Sequence, residues 1–267
     1  MSALSINCSR KMSNARFSQT NVSLVAFYGD KPPELKNLIQ QLQGSIDCKS
    51  IQNHFIPYQI EQVHGTIIGC EGRKTESGIV NQWFDERRGE TRYIDFEGFV
   101  DYLQKMQLPL NIRFGGYAPT QKYNFLSRNE HLYFRSFQLQ AIEDRVIPIL
   151  IGWSWNNNRV TLALDNLRRK FQDFNLLHKY HTTPNAMDND FYLRLGTINT
   201  QLSAIEQKAI ATKVRNLLAN KPALHIPINK KDIALARYRD LSLTPTKTEI
   251  VAISDITVER LKQMYST

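Results

Sequence analysis

Two residues early in the chain have the types and spacing that phosphate-ester chemistry needs. His64 and Thr66 lie in the run Val63-His-Gly-Thr-Ile67, whose apolar and β-branched residues are typical of a strand. On a strand, side chains at i and i+2 point to the same face, so His64 and Thr66 project together. An imidazole transfers a proton near neutral pH, and a hydroxyl donates a hydrogen bond to a phosphate oxygen. The pair therefore predicts a phosphate-ester site.

A second segment, Arg194-Leu-Gly-Thr-Ile198, repeats the Gly-Thr-Ile string. The strands and helices predicted around the two segments follow the same order, which is strand, helix, motif strand, helix, strand. This repeated order predicts an internal duplication, with a first half at about 22–140 and a second half at about 146–267. The hydroxyls of Thr66 and Thr197 are then expected to face each other across a cleft.

With these motifs and this element order, the sequence resembles the 2H phosphoesterase superfamily, the LigT-like cyclic phosphodiesterases. The hallmark of that family is a pair of His-x-Thr/Ser motifs on two pseudo-symmetric lobes. The segments 110–117 and 131–134 are also similar to the family's strand pairs between the motifs. The resemblance implies an α+β fold, bilobal, with antiparallel sheets around a central cleft.

The resemblance also implies a function. The ligand would be a nucleotide or an RNA end, and the reaction would be the hydrolysis of a 2′,3′-cyclic phosphodiester. His64 would be the general acid/base, and Thr66 and Thr197 would orient the phosphate. No metal ion and no other cofactor is implied, because the family uses histidines and hydroxyls.

The sequence departs from the family pattern at the second motif. It reads Leu195-Gly-Thr197, so an apolar residue stands where the second histidine is expected. Leucine cannot transfer a proton, which predicts reduced activity and a gain of activity for Leu195→His. Two alternatives remain open: a non-enzymatic RNA- or nucleotide-binding module, and a protein-interaction module with a degenerate cleft.

Other polar residues could complete the site. His181-Thr-Thr183 is a literal His-x-Thr, although Pro184 predicts a loop there rather than a strand. We assign Arg194, Tyr117 and His181 as candidate substrate-binding residues. The spacing of His178 and His181 fits neither a zinc nor an iron site, so no metal site is predicted.

The 267 residues are long enough for one large domain, and we expect a single bilobal domain over 22–267. Residues 1–21 are rich in Ser and Asn and contain no acidic residue, which is typical of a disordered N-terminal tail. An organelle transit peptide shares this composition and remains the alternative. The charge-mixed stretch 71–94 is interpreted as an insertion loop.

The charge balance favours a partner that carries phosphate. Lys and Arg number 34 against 25 Asp and Glu, a formal net charge of +9. Basic residues are interleaved with aromatic ones at 123–135 and 237–239, and a basic run occupies 168–170. No apolar run is long enough to span a bilayer, and three cysteines without a CxxC favour a reducing compartment. We therefore expect a cytoplasmic protein that binds RNA or a nucleotide and no membrane, and the sequence identifies no protein partner.

Overall fold

One antiparallel sheet with helices packed on it carries the residues of interest. The structure is a computed structural model, and it describes residues 19–46, 51 and 53–266. The strands are β1 (Gln19–Ala26), β2 (Phe55–Pro57), β3 (Gly65–Gly69), β4 (Gly72–Thr75), β5 (Gly78–Asn81), β6 (Leu110–Phe114), β7 (Phe137–Ile142), β8 (Arg145–Asn156), β9 (Arg159–Val160), β10 (Asp190–Arg194), β11 (Gly196–Ile198), β12 (Leu224–Ile228), β13 (Ile233–Tyr238) and β14 (Thr248–Ala252). The helices are α1 (Pro33–Ile46), α2 (Gln82–Arg88), α3 (Phe96–Lys105), α4 (Leu132–Arg135), α5 (Ala163–Lys170), α6 (Ala204–Ala219) and α7 (Val258–Met264). The predicted α+β class is confirmed.

The main path of the sheet runs β12-β6-β8-β10-β3-β1-β13-β14. Its two four-stranded halves meet where β10 and β3 pair, through the residues Leu193 and Gly65. The sequence predicted two separate sheets, whereas the structure has one sheet whose two halves are joined at a narrow junction. The sequence halves 22–140 and 146–267 do not correspond to the halves of this sheet, because β13 pairs with β1 and β6 pairs with β8 and β12.

Close packing behind the junction depends on Gly65. A Cβ at this position would overlap the ring of Phe191, which is buried and packs edge-on against Phe27. Any larger residue would push the aromatic ring away from the strand. The glycine of the first motif thus has a structural role on the face of β3 opposite His64 and Thr66.

A buried arginine spans the opening between β3 and β10 beyond the junction. Arg168 of α5 donates from Nε to the carbonyl of Ile67 at 2.8 Å and from Nη2 to the carbonyl of Thr66 at 3.1 Å. The same guanidinium donates to the carbonyls of Asp188 at 2.9 Å and Asp190 at 3.1 Å. Because the two strands diverge here, these carbonyls cannot pair with the neighbouring strand, and Arg168 supplies the hydrogen-bond donors that they need.

The helices bury apolar stripes against one face of the sheet. In α1 these residues recur at the helical period: Leu35, Leu38, Ile39, Leu42 and Ile46. On β1 the side chains of Val22, Leu24 and Ala26 join the same cluster, whereas Val25 belongs to a separate one. The opposite face is therefore left to smaller clusters and to the cavity described below. No helix of the described residues is long and apolar enough to cross a membrane.

The structure corrects two assignments made from composition. The stretch 71–94 is no insertion loop: it holds the β4–β5 hairpin and α2, and the side chain of Asn81 caps that helix by accepting from the amide of Phe84 at 3.1 Å. The many charged residues of this stretch suggested a loop, although its short apolar run Ile79-Val80 is buried. The predicted tail 1–21 is too long, since β1 begins at Gln19; residues 1–18 lie outside the described part.

We predict that Gly65→Ala destabilises the protein by about 1–3 kcal/mol, because the added methyl group overlaps the ring of Phe191. Gly44→Ala is the matched control, because Gly44 lies inside α1 with no atom within 4 Å of an added Cβ. That control should stabilise the protein by about 0.5–1 kcal/mol through helix propensity. Urea denaturation measures the stability of both variants. Equal denaturation midpoints for the two variants would show that the contact with Phe191 does not prevent a larger side chain at position 65.

Candidate functional site

A cavity of about 490 Å³ lies on the face of the sheet opposite the main core. The strands at the junction contribute His64 and Thr66 from the β3 side and Tyr192 and Arg194 from β10. This volume lies within the range of small-molecule sites, about 300–1,000 Å³. The junction therefore provides the floor of a pocket large enough for a nucleotide.

The strand register decides which of these side chains are neighbours. Leu193 lies opposite Gly65 in an antiparallel pair, so the register places Arg194 beside His64 and Tyr192 beside Thr66. All four side chains share one face because each lies one residue away from the paired position. The sheet thus brings a proton-transfer group directly beside a fixed positive charge.

His64 is held as a neutral base. Its Nδ1 lies 2.8 Å from the carbonyl oxygen of Gln62, which can only accept, so Nδ1 carries the proton. The other ring nitrogen, Nε2, is then an acceptor, and it has no hydrogen-bond partner among the described residues. Burial lowers the pKa of His64 to about 4, the hydrogen bond to Gln62 opposes this shift, and the positive charges of Arg194 and Lys31 add to it.

Five basic side chains surround the cavity: Arg128, Arg135, Arg168, Lys179 and Arg194. Two of them are buried and occupied by the protein itself. Arg168 binds the carbonyls described above, and Arg135 donates from Nη2 to the carboxylate of Asp190 at 2.9 Å. Arg194 is less engaged, with one hydrogen bond from Nη1 to the carbonyl of Leu241 at 3.2 Å. Its remaining donors can bind an anion.

A tight turn directs Arg128 into the cavity. Ser127 and Glu130 form an isolated bridge, and the two residues between them, Arg128 and Asn129, have φ of 50° and 64°. Two consecutive positive φ values are typical of the type I′ turn. The guanidinium of Arg128 lies 4.5 Å from the ring centroid of Tyr180 and 3.5 Å from the carboxylate of Asp190.

Tyr192 is not arranged as a general acid. Its hydroxyl donates to the carboxylate of Asp190 at 2.9 Å and accepts from Nη2 of Arg135 at 3.1 Å. Burial and the carboxylates of Asp190 and Asp188 raise the pKa of Tyr192 far above its usual value. Its proton is therefore committed to a neighbouring carboxylate and is bound tightly.

Of the predicted site residues, the structure brings His64, Thr66 and Arg194 together at the cavity. Thr197 does not line it. It lies on β11, where its Oγ1 donates to the hydroxyl of Tyr58 at 3.3 Å. Leu195 is fully buried in the main core. The prediction that Thr66 and Thr197 face each other across a cleft is wrong.

Tyr117 and His181 are also buried away from the cavity. Tyr117 packs edge-on against Trp153 with 5.0 Å between ring centroids, and its hydroxyl donates to the carbonyl of Arg113. His181 donates from Nε2 to the carboxylate of Asp165 at 2.9 Å and has no exposed surface. Both are structural in this fold. No group of three or more His, Cys, Asp or Glu in the described ranges is arranged to hold a metal ion.

The junction has a local two-fold relation that the repeated string concealed. Two antiparallel strands are related by a two-fold axis, which here passes between Leu193 and Gly65. The residue before each of these is therefore equivalent, Tyr192 to His64, and so is the residue after each, Arg194 to Thr66. The Gly-Thr-Ile match aligned the second segment three residues too far along the chain. An odd shift on a strand moves every side chain to the other face, and Thr197 is misplaced for that reason.

Several cavity residues were not assigned to the site from the sequence. Glu71, Trp83 and Lys179 lie far apart in the chain, and no local pattern links them. Arg128 and Arg135 do fall within the basic-aromatic stretch 123–135, and Arg168 within the basic run 168–170. The alternation of basic and aromatic residues in that stretch was therefore the sequence pattern that could have assigned Arg128 and Arg135 to the site.

Comparisons with known proteins add little to this geometry. No family model matches the sequence, and no curated protein matches it. The structure is similar to the crystal structure of TT0787 of Thermus thermophilus, with a TM-score of 0.39 and 10% sequence identity. That alignment covers 86% of this chain and 93% of the other.

We predict that the protein loses stability as the pH falls from about 6.5 to about 4. An unfolded histidine with a pKa near 6.5 takes up a proton in this range, whereas folded His64, with a pKa of about 4, does not. Burial also lowers the pKa of His178, to about 3, so this residue acts in the same direction. Denaturation at pH 7.0, 5.5 and 4.5 should give a shallower dependence for His64→Gln; an unchanged dependence would contradict the buried, neutral state of His64.

Proposed function

We propose that the cavity binds the phosphate of a nucleotide or of an RNA end, and that the protein hydrolyses a 2′,3′-cyclic phosphodiester slowly. One observation carries the proposal. His64 is a neutral imidazole with an unpartnered Nε2 at the cavity, and the register places the guanidinium of Arg194 beside it. A base next to a phosphate-binding cation is the minimum that hydrolysis of a phosphodiester requires.

The chemistry follows from these positions. Nε2 of His64 accepts a proton from water while the water oxygen attacks phosphorus and forms the new P–O bond. Arg194 and the hydroxyl of Thr66 bind the non-bridging oxygens and stabilise the negative charge that develops on them. The P–O bond to one ribose oxygen breaks, and that oxygen takes up a proton.

The second proton transfer limits the rate in this proposal. Tyr192 stands where the local two-fold relation would place a second general acid, but its hydroxyl donates to Asp190. The leaving oxygen then takes its proton from solvent or from the His64 imidazolium. Losing one positioned acid costs about 10²–10⁴-fold in rate.

A non-enzymatic binding module is the second candidate, and a specific observation favours it. The pair that corresponds to His64 and Thr66 is Tyr192 and Arg194, a ring and a cation. These residue types bind nucleotides by stacking and charge and move no proton. Both candidates share the same phosphate site.

We predict that Arg194→Ala weakens the binding of nucleoside 3′-monophosphates about 10- to 100-fold, which is the usual effect of losing a charge-assisted hydrogen bond. Titration calorimetry at two salt concentrations measures this, and affinity should fall as salt rises. Arg145→Ala is the matched control, because Arg145 is exposed and lies outside the cavity. Absence of binding at low salt would leave the protein-interaction module as the better interpretation.

We predict that Tyr192→His raises 2′,3′-cyclic nucleotide hydrolysis by about 10²-fold or more, because it supplies a second proton-transfer group at the junction and keeps Arg194 as the phosphate-binding cation. His64→Ala in either background should abolish activity. Leu195→His, at a fully buried apolar position, should destabilise the protein and bring no gain. A gain from Leu195→His alone would show that the second motif lies at 195–197 after all.

A further inference from the structure

One carboxylate interrupts the basic lining of the cavity. Among the described residues that line it, Glu71 is the only Asp or Glu. It is buried, and no Lys, Arg or His in the described part of the chain forms an ion pair with it. A buried carboxylate without a counter-ion is costly unless hydrogen-bond donors satisfy its oxygens.

Two protein donors hold this carboxylate in place. Trp83 donates from Nε1 to Oε2 at 2.6 Å, and the hydroxyl of Tyr238 donates to Oε1 at 2.9 Å. Gly69 makes the arrangement possible, because a Cβ there would overlap the carboxylate. An ionised carboxylate accepts about four hydrogen bonds, one on each lone pair. Each oxygen of Glu71 therefore keeps accepting capacity, and the residue lines the cavity.

The carboxylate lies further along the chain of β3 than the proposed phosphate site. His64 precedes β3 and Glu71 follows it, and the extended backbone continues to Gly72, which pairs with Thr20 of β1. Both side chains line the same cavity, so a ligand with its phosphate at His64 can present another group to Glu71.

We propose that Glu71 recognises the guanine base of the bound nucleotide. This inference rests on the proposed function, since it takes the phosphate to lie at His64 and Arg194. Guanine presents two adjacent donors, N1–H and the N2 amino group, which match the two oxygens of one carboxylate. Adenine and cytosine place a donor beside an acceptor, and uracil places one donor between two acceptors. A carboxylate, which can only accept, therefore selects guanine.

Aromatic side chains that line the cavity suit a base. Trp83 and Tyr238 line the cavity around Glu71, and Tyr180 lines it beside Arg128. Stacking on such rings adds affinity for any base, whereas the carboxylate supplies the discrimination. In this proposal, stacking on the rings binds any base, and hydrogen bonds to Glu71 select guanine.

The test measures binding by titration calorimetry with the 3′-monophosphates of guanosine, adenosine, cytidine and uridine, and with guanosine and adenosine alone. The guanine nucleotide should bind about 10- to 100-fold more tightly than the other three. Guanosine should bind more tightly than adenosine. Equal binding of the two nucleosides would mean that Glu71 accepts from the ribose hydroxyls, which both share, and would overturn the guanine assignment.

Glu71→Gln should remove the preference, because an amide offers one acceptor where the base needs two. Trp83→Phe keeps an aromatic ring and removes the donor that orients Glu71, so it should reduce the preference for guanine over the other bases. Glu97→Gln, on the exposed side of α3, is the matched control and should change nothing.

The outcomes separate this inference from the proposed function. If all four nucleotides bind equally and Arg194→Ala weakens them all, the phosphate site stands and the guanine site is wrong. If the preference persists in Glu71→Gln, another residue reads the base and the inference is wrong. If nothing binds, both are wrong.

Discussion

The hydrogen bonds of Arg168 hold the two halves of the sheet at the geometry on which the site depends. Beyond the Leu193–Gly65 pair, β3 and β10 separate, and their facing carbonyls would be buried without donors. One guanidinium, itself almost fully buried, donates to two carbonyls on each side of this opening. Arginine suits this role because its donors are arranged in a rigid planar fork and its charge is permanent. The spacing of the half-sheets is thereby fixed by geometry rather than by apolar packing alone.

The chemistry of the cavity follows from this junction. Because the strands are paired only near Gly65, the residues on either side of it are the ones that two different half-sheets bring into contact. His64 gains Arg194 as a cross-strand neighbour, and burial together with that positive charge keeps the imidazole neutral. A neutral base beside a cation is the arrangement that favours binding an anion and accepting a proton in the same place.

Part of this could be predicted from the sequence. The resemblance drawn from the motifs and the element order implied the α+β class, and the i, i+2 rule correctly placed His64 and Thr66 on one face. Arg194 was also assigned to the site and lines the cavity. Thr197 was misplaced because a three-letter match carries no information on register, and register is set by pairing with a distant strand. Glu71 and Trp83 could not be found because their contact joins a strand end to the first turn of α2.

Tyr192 and Arg194, the counterparts of His64 and Thr66 across the junction, give the site charge and an aromatic ring rather than a second proton-transfer group. A hydroxyl that donates to Asp190 cannot protonate a leaving group, but together with that carboxylate it helps to anchor Arg135 at the cavity wall. Arg194 adds a permanent positive charge where a threonine would add only a hydroxyl. With Glu71 as the one carboxylate among the described residues that line it, the cavity suits a molecule that carries both a negative phosphate and hydrogen-bond donors. In the proposed function, affinity for such a ligand and slow turnover both follow from the presence of Tyr192 and Arg194 at these positions.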